Sequence, residues 1–74
     1  MTTHSFLDTD LKEKISILET EGRDSISFTT GEKTPVSIIR KDTELYKKHS
    51  GHLLSSEVTH NGTLYVVFYG LKLD

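Results

Sequence analysis

Three histidines and one serine in the second half of the chain are the residues whose types could support metal binding or nucleophilic catalysis. His49 and His52 have the spacing H-x-x-H, His60 could be a third ligand, and Ser50 follows His49. A metal site needs three or four converging ligands, but an extended strand would separate His60 from His52 by roughly 25 Å. Adjacent residues such as His49 and Ser50 rarely converge side chain to side chain, and the sequence shows no orienting acid for them. The sequence therefore predicts no metal, no cofactor and no enzymatic activity.

A basic segment with an aromatic residue inside it could contact nucleic acid. Its members are Arg40, Lys41, Tyr46, Lys47 and Lys48. The aromatic residues Tyr65, Phe68 and Tyr69 could stack bases, as in sheet-based single-strand binders. Acidic residues at 42 and 44 interrupt the segment, and the chain has a net charge of -2, so its overall field does not favour phosphate. Nucleic-acid binding is therefore the alternative functional hypothesis.

The N-terminal half is acidic, which allows two interpretations. The acidic residues in question are Asp8, Asp10, Glu13, Glu19, Glu21 and Asp24. They could form a negative face that docks a basic partner by electrostatic complementarity. They could equally be the solvated surface of a helix, and the sequence leaves both interpretations open.

The run of six apolar or aromatic residues at 64–69 gives the main functional hypothesis. In a strand, Tyr65, Val67, Tyr69 and Leu71 would point to one face, and Leu64, Val66 and Phe68 to the other. The rest of the chain can readily cover only one of these faces. Tyrosine-rich faces are common at interfaces because the ring is buried while the hydroxyl stays hydrated. We therefore expect Tyr65, Val67, Tyr69 and Leu71 to bind a protein partner, either a second copy in a homodimer or another protein.

The elements that position these residues begin with an amphipathic helix. Apolar residues at 7, 11, 15 and 18 form one stripe along it, which is the spacing of a helix packed on one side. Gly22 is predicted as the residue that ends the helix in the left-handed conformation. A short helix is predicted over residues 42–49, between two pairs of strands.

Two hairpins account for the strands. Residues 25–30 alternate apolar and polar side chains, and a three-residue loop at 31–33 would pair Ile26 with Ile38 and Phe28 with Val36 on one face. Asn61 and Gly62 tolerate the positive φ of a type I′ turn, which predicts the second hairpin. The expected fold is α+β and two-layered, with the N-terminal helix packed on a four-stranded antiparallel sheet in the order α-β-β-(short α)-β-β.

Size and composition set the remaining expectations. The 74 residues predict a single domain spanning 1–74, with residues 1–4 frayed. The chain has no cysteine, which fits a cytoplasmic protein. No apolar run approaches the length of a membrane span, so the sequence predicts no membrane contact. These features indicate a small non-catalytic interaction or regulatory module.

Overall fold

Four antiparallel strands form one sheet with a long helix packed on it, which confirms the predicted α+β class and order of elements. The computed structural model describes residues 3–31, 33–51 and 54–73, with residues 3–10 described by their backbone alone. The elements are α1 (Thr3–Thr20), β1 (Ser25–Thr29), β2 (Pro35–Arg40), α2 (Glu44–His49), β3 (Ser55–His60) and β4 (Thr63–Tyr69). The strand order across the sheet is β1-β2-β4-β3. Of residues 1–4, the first two lie outside the described residues, and α1 begins at Thr3.

The first hairpin has the predicted register. Ile26 pairs with Ile38 and Phe28 pairs with Val36, and the Thr30 N–H donates to the Thr34 carbonyl at 3.0 Å. The three-residue loop is therefore confirmed. Of the two loop residues that the structure describes, Gly31 and Lys33, the one with positive φ is Lys33, at 66°. The left-handed conformation is normally disfavoured for a residue with a Cβ, and here the hairpin register imposes it.

The second hairpin closes on the predicted type I′ turn. Asn61 and Gly62 have φ values of 53° and 79°, and His60 pairs with Thr63 on either side of them. Positive φ at both central residues matches the right-handed twist of the flanking strands. Strand β4 also pairs with β2, with Ile38 opposite Val67. The turn therefore fixes the register of β3 against β4, and pairing with β2 places Val67 on the same face as Ile38.

Helix α1 ends as predicted and buries Leu11, Ile15 and Leu18 of its apolar stripe on one face of the sheet, while the side chain of Leu7 lies outside the described part. Gly22 has φ of 67°, and the Arg23 N–H donates to the Leu18 carbonyl at 3.0 Å, while the Gly22 N–H donates to the Glu19 carbonyl at 3.2 Å. This pair of bonds is a Schellman motif. The first core cluster comprises Leu11, Ile15, Leu18, Ile26, Val36, Ile38, Tyr65 and Val67.

The opposite face of the sheet carries a second, smaller cluster. Its buried members are Ile39, Val66 and Phe68, and Leu45, Tyr46, Leu71 and Leu73 pack against them. Helix α2 and the segment after β4 therefore cover this face. Thr43 caps α2, because its side chain accepts a hydrogen bond from the Tyr46 N–H.

Two serines hold the C-terminal segment on the sheet. The Ser37 hydroxyl donates to the Leu71 carbonyl at 2.5 Å, so the 2.8 Å contact between the Ser27 and Ser37 hydroxyls has Ser27 as its donor. The Ser27 oxygen in turn accepts from the Leu73 N–H at 3.1 Å. This series of hydrogen bonds provides a partner for the hydroxyl of Ser37, which is fully buried. It also explains why Ser27 and Ser37 are polar although they lie among the apolar side chains of the sheet.

Replacing Gly62 in the turn of the second hairpin tests the assignment of that turn as type I′. Gly62→Ala places a Cβ on a residue with φ of 79° and should reduce the free energy of unfolding by about 1 kcal/mol or more. Gly31→Ala is the matched control, since Gly31 lies outside the positive-φ region and a Cβ there meets nothing within 4 Å. Urea unfolding followed by circular dichroism measures both. Equal destabilisation by the two substitutions would contradict the turn assignment.

Removing the Ser37 hydroxyl tests the role of the serine pair. Ser37→Ala leaves the Leu71 carbonyl without its donor and should cost about 1–2 kcal/mol of unfolding free energy. Ser16→Ala, at an exposed position on α1, should instead be neutral or slightly stabilising because alanine favours helix. Thermal unfolding of the two variants gives the comparison. An unchanged Ser37→Ala variant would show that the hydrogen bond from Ser37 to Leu71 contributes nothing measurable to stability.

Candidate functional site

The face predicted to bind a partner is the face that α1 covers, so the predicted exposure of its central residues is wrong. Tyr65 is 1% exposed and Val67 is fully buried, both within the first core cluster. The physical reason is that α1 packs on this side of β4, whereas α2 and the C-terminal segment cover the other. Both faces of the 64–69 run are therefore buried within one chain.

The two remaining residues of the predicted interface lie in different places. Tyr69 is half-buried against the first cluster, and its hydroxyl lies 3.2 Å from the Ser56 hydroxyl. Leu71 packs against the second cluster on the opposite face. Gly70 has φ of 85°, which ends the alternation of the strand, so Leu71 does not continue the face of Tyr69. The four predicted residues do not form one surface.

The predicted nucleic-acid residues are divided between the two faces of the sheet. Arg40 pairs with Tyr65 and shares the α1 face with it. Lys41 forms an ion pair at 2.9 Å with Glu57, which is opposite Val66 on the α2 face. Tyr46 packs on the ring of Phe68 with a centroid distance of 6.4 Å. Only Lys47 and Lys48, both exposed, remain together at the end of α2.

Acidic neighbours neutralise most of these cations. Arg40 donates to Asp42 at 3.0 Å, and Lys47 lies 3.7 Å from Glu44. The Glu57 carboxylate raises the pKa of Lys41 by its hydrogen bond and charge. A cleft of about 340 Å³ lies between these residues and the tip of the second hairpin, and its lining comprises Arg40, Lys41, Asp42, Gly62, Thr63 and Leu64. Its charges are mixed, so it does not present a phosphate with a positive surface.

One carboxylate links α1 to the second hairpin. Glu19, in the last turn of α1, accepts from the Tyr65 hydroxyl at 2.6 Å and from the Asn61 side-chain amide at 3.3 Å. His60 Nδ1 lies 3.4 Å from the same carboxylate. We call Glu19, His60, Asn61 and Tyr65 the Glu19 cluster. It fastens the tip of the hairpin to the end of the helix.

The electrostatics of the Glu19 cluster favour the charged carboxylate. A negative charge at the C-terminal end of a helix is opposed by the helix dipole, so the hairpin donors offset this cost. The hydrogen bond from Tyr65 lowers the pKa of Glu19, although partial burial opposes it. Burial and the neighbouring carboxylate raise the pKa of Tyr65 to about 12. The tyrosine is therefore a neutral donor at physiological pH, and this cluster positions elements rather than moves protons.

The other residue types considered for chemistry do not converge in the described structure. His52 lies outside the described residues, and His60 belongs to the Glu19 cluster. Among the side chains that the structure describes, in residues 11–31, 33–51 and 54–73, no three histidine or acidic groups could together hold a metal ion. Of the acidic residues in the N-terminal half, Glu19 is bound to the hairpin and Glu21 pairs with Arg23 at 3.3 Å. The side chains of Asp8 and Asp10 lie outside the described part. None of the helices in the described ranges has the length and apolarity that crossing a bilayer requires.

The outer edge of β3, which pairs with no other strand in residues 3–31, 33–51 and 54–73, is a surface that the sequence analysis did not identify. β3 is the last strand of the sheet, and Ser55, Ser56, Glu57 and Thr59 are exposed. Immediately before the strand, Leu54 is 66% exposed. Strand order cannot be read from the sequence, but the polar run 55–57 is the signal that would have indicated an edge strand.

The comparisons with known proteins give no relative to argue from. The chain matches no family model, no curated protein and no solved structure. A function for this chain must therefore be argued from the contacts, burial and charges of its described residues.

The Glu19 cluster predicts a defined loss of stability in acid. Because the folded state lowers the pKa of Glu19, its charge stabilises the fold above pH 4.5, and this contribution is lost as the pH falls through the folded-state pKa. Glu19→Gln should be less stable than the wild type at pH 7, and the difference should shrink below pH 4.5. Chemical unfolding across that range measures it.

Glu13→Gln is the control for the loss of charge, since Glu13 is exposed on the same helix. It should have a smaller effect at pH 7 than Glu19→Gln. A Glu19→Gln variant whose stability deficit is the same at pH 3 and pH 7 would contradict the charged-carboxylate assignment.

Proposed function

We propose that this protein is a small, non-catalytic interaction or regulatory module that acts in the cytoplasm and binds a second copy of itself through its C-terminal hairpin. The absence of cysteine supports the location. The surface is the outer edge of β3 together with Leu54, rather than the face of Tyr65 and Val67. The observation that carries the proposal is that both faces of β4 are covered, whereas no strand among the described residues pairs with the outer edge of β3.

The hydrogen-bonding pattern of the hairpin supports this edge as a binding surface. In an antiparallel pair, alternate residues direct their N–H and C=O groups toward the partner strand. His60 and Thr63 flank the two-residue turn, and in such a turn this pair exchanges backbone hydrogen bonds between β3 and β4. At the other end of the hairpin, the Tyr69 N–H donates to the Leu54 carbonyl at 2.9 Å. Even-numbered residues thus bond to β4. Ser55, Glu57 and Thr59 direct their backbone groups outward, where an added strand could bind them.

The other edge of the sheet is less suited to strand addition. In β1, only Thr29 is exposed, whereas four residues of β3 are. Lys14 of α1 lies over the ring of Phe28, 5.4 Å from its centroid. Ser27 already accepts from Leu73. The helix and the C-terminal segment therefore flank β1, and β3 is the more accessible edge.

A charge on an edge strand usually hinders association, and Glu57 is such a charge. Its ion pair with Lys41, at 2.9 Å, offsets part of the negative potential. A partner strand can therefore approach without meeting an isolated carboxylate. Paired strand edges bury little area, which is typical of weak association.

Nucleic-acid binding through the basic segment is the alternative function. It would use Lys47 and Lys48, which lie together and exposed at the end of α2. Binding that weakens steeply with added salt, in a mobility-shift titration with oligonucleotides, would support it. Insensitivity of that binding to Lys47→Ala with Lys48→Ala would exclude the segment.

Sedimentation velocity over a concentration series up to about 1 mM tests self-association, since small interfaces bind weakly. The wild type should sediment faster as concentration rises. Glu57→Pro should remain monomeric because it removes an outward N–H and blocks strand addition. A wild type that stays monomeric at the highest concentration would overturn the proposal.

Two matched variants separate edge pairing from other effects. Glu57→Gln removes the charge but keeps the N–H, so it should still self-associate. Thr29→Pro removes an outward N–H from the edge of β1 and should also self-associate. Loss of association in Thr29→Pro with retention in Glu57→Pro would move the interface to β1.

A further inference from the structure

Two copies of β3 can pair in only a few registers, and the structure distinguishes among them. A two-fold axis perpendicular to the sheet makes the two strands antiparallel and joins the sheets edge to edge. Only residues with outward backbone groups can exchange hydrogen bonds, so odd-numbered residues must lie opposite odd-numbered ones. We call a register centred on a residue when that residue lies opposite its own symmetry copy. Near the middle of the strand, the possible registers are those centred on Ser56, on Glu57 or on Val58.

Two of these registers conflict with the side chains present. The register centred on Glu57 places that carboxylate opposite its symmetry copy, and like charges directly opposite are destabilising. The register centred on Val58 pairs Val58 with itself but places Leu54 opposite Gly62. Leu54, which is 66% exposed, would then gain no side chain to pack against.

We propose that the chain dimerises in the register centred on Ser56, an inference that rests on the proposed self-association. Leu54 then lies opposite the half-buried Val58 of the second copy, so the exposed leucine gains an apolar neighbour. Glu57 lies opposite Ser55, whose hydroxyl can donate to the carboxylate. The two copies exchange backbone hydrogen bonds between Ser55 and Glu57, and the two α1 helices lie on the same side of a continuous eight-stranded sheet.

Single-cysteine variants measure this register directly, because the chain has no cysteine of its own. In the proposed dimer the two Ser56 Cα atoms form a non-hydrogen-bonded pair about 4.5 Å apart, within the range that a disulfide spans. Ser56→Cys should therefore oxidise to a covalent dimer faster than Glu57→Cys and Val58→Cys, by about tenfold or more. Non-reducing electrophoresis at high protein concentration gives the rates.

A mixing experiment gives an independent readout of the same register. Leu54→Cys and Val58→Cys, distinguished by mass, should form the mixed disulfide in preference to either homodimer. Thr29→Cys, on the opposite edge, is the control and should cross-link slowly. Circular dichroism of each reduced variant confirms that it is folded before oxidation.

The outcomes separate the register from the proposed function. Fastest cross-linking at Glu57 or Val58 would overturn the Ser56 register while leaving self-association through β3 in place. Slow cross-linking at all three β3 positions would overturn the register. A wild type that also stays monomeric in sedimentation would overturn the proposed function as well as the register.

Discussion

The main constraint on this fold is that the apolar side chains on both faces of β4 must be buried. Strand β4 lies between β2 and β3 in the sheet, and its residues 65–68 are all buried. A chain of 74 residues has little surplus chain to bury them, since small domains bury a modest fraction of their surface. Helix α1 covers one face, and α2 with the C-terminal segment covers the other. The Glu19 cluster and the Ser27–Ser37 pair fasten these two covers.

Local signals in the sequence predict most of the fold. The Asn61–Gly62 turn, the three-residue loop and the C-terminal Gly22 each depend on backbone preferences within a few residues, and the structure confirms all three. Pairing of apolar residues across the first hairpin fixed its register. These are short-range constraints, so an amino-acid pattern is sufficient to recognise them.

The assignment of faces could not be predicted in the same way. The apolar stripe of α1 can pack on either side of a strand that is apolar on both, so the sequence does not distinguish Tyr65 and Val67 from Val66 and Phe68. The positive φ of Gly70, at 85°, also breaks the alternation that placed Leu71 with Tyr69. The contacts of Glu19 with Tyr65 and of Ser37 with Leu71 join residues far apart in sequence. Such pairs have no local signature.

Both faces of β4 are covered, while no strand of the described part of the chain pairs with the outer edge of β3. Amide hydrogen exchange by NMR tests this difference residue by residue. In dilute protein, the amides of Ser56 and Val58 should be protected while those of Ser55 and Glu57 exchange rapidly. At high protein concentration, the amides of Ser55 and Glu57 should become protected. Uniform protection along β3 in dilute protein, or an exchange pattern that does not change with concentration, would contradict the account.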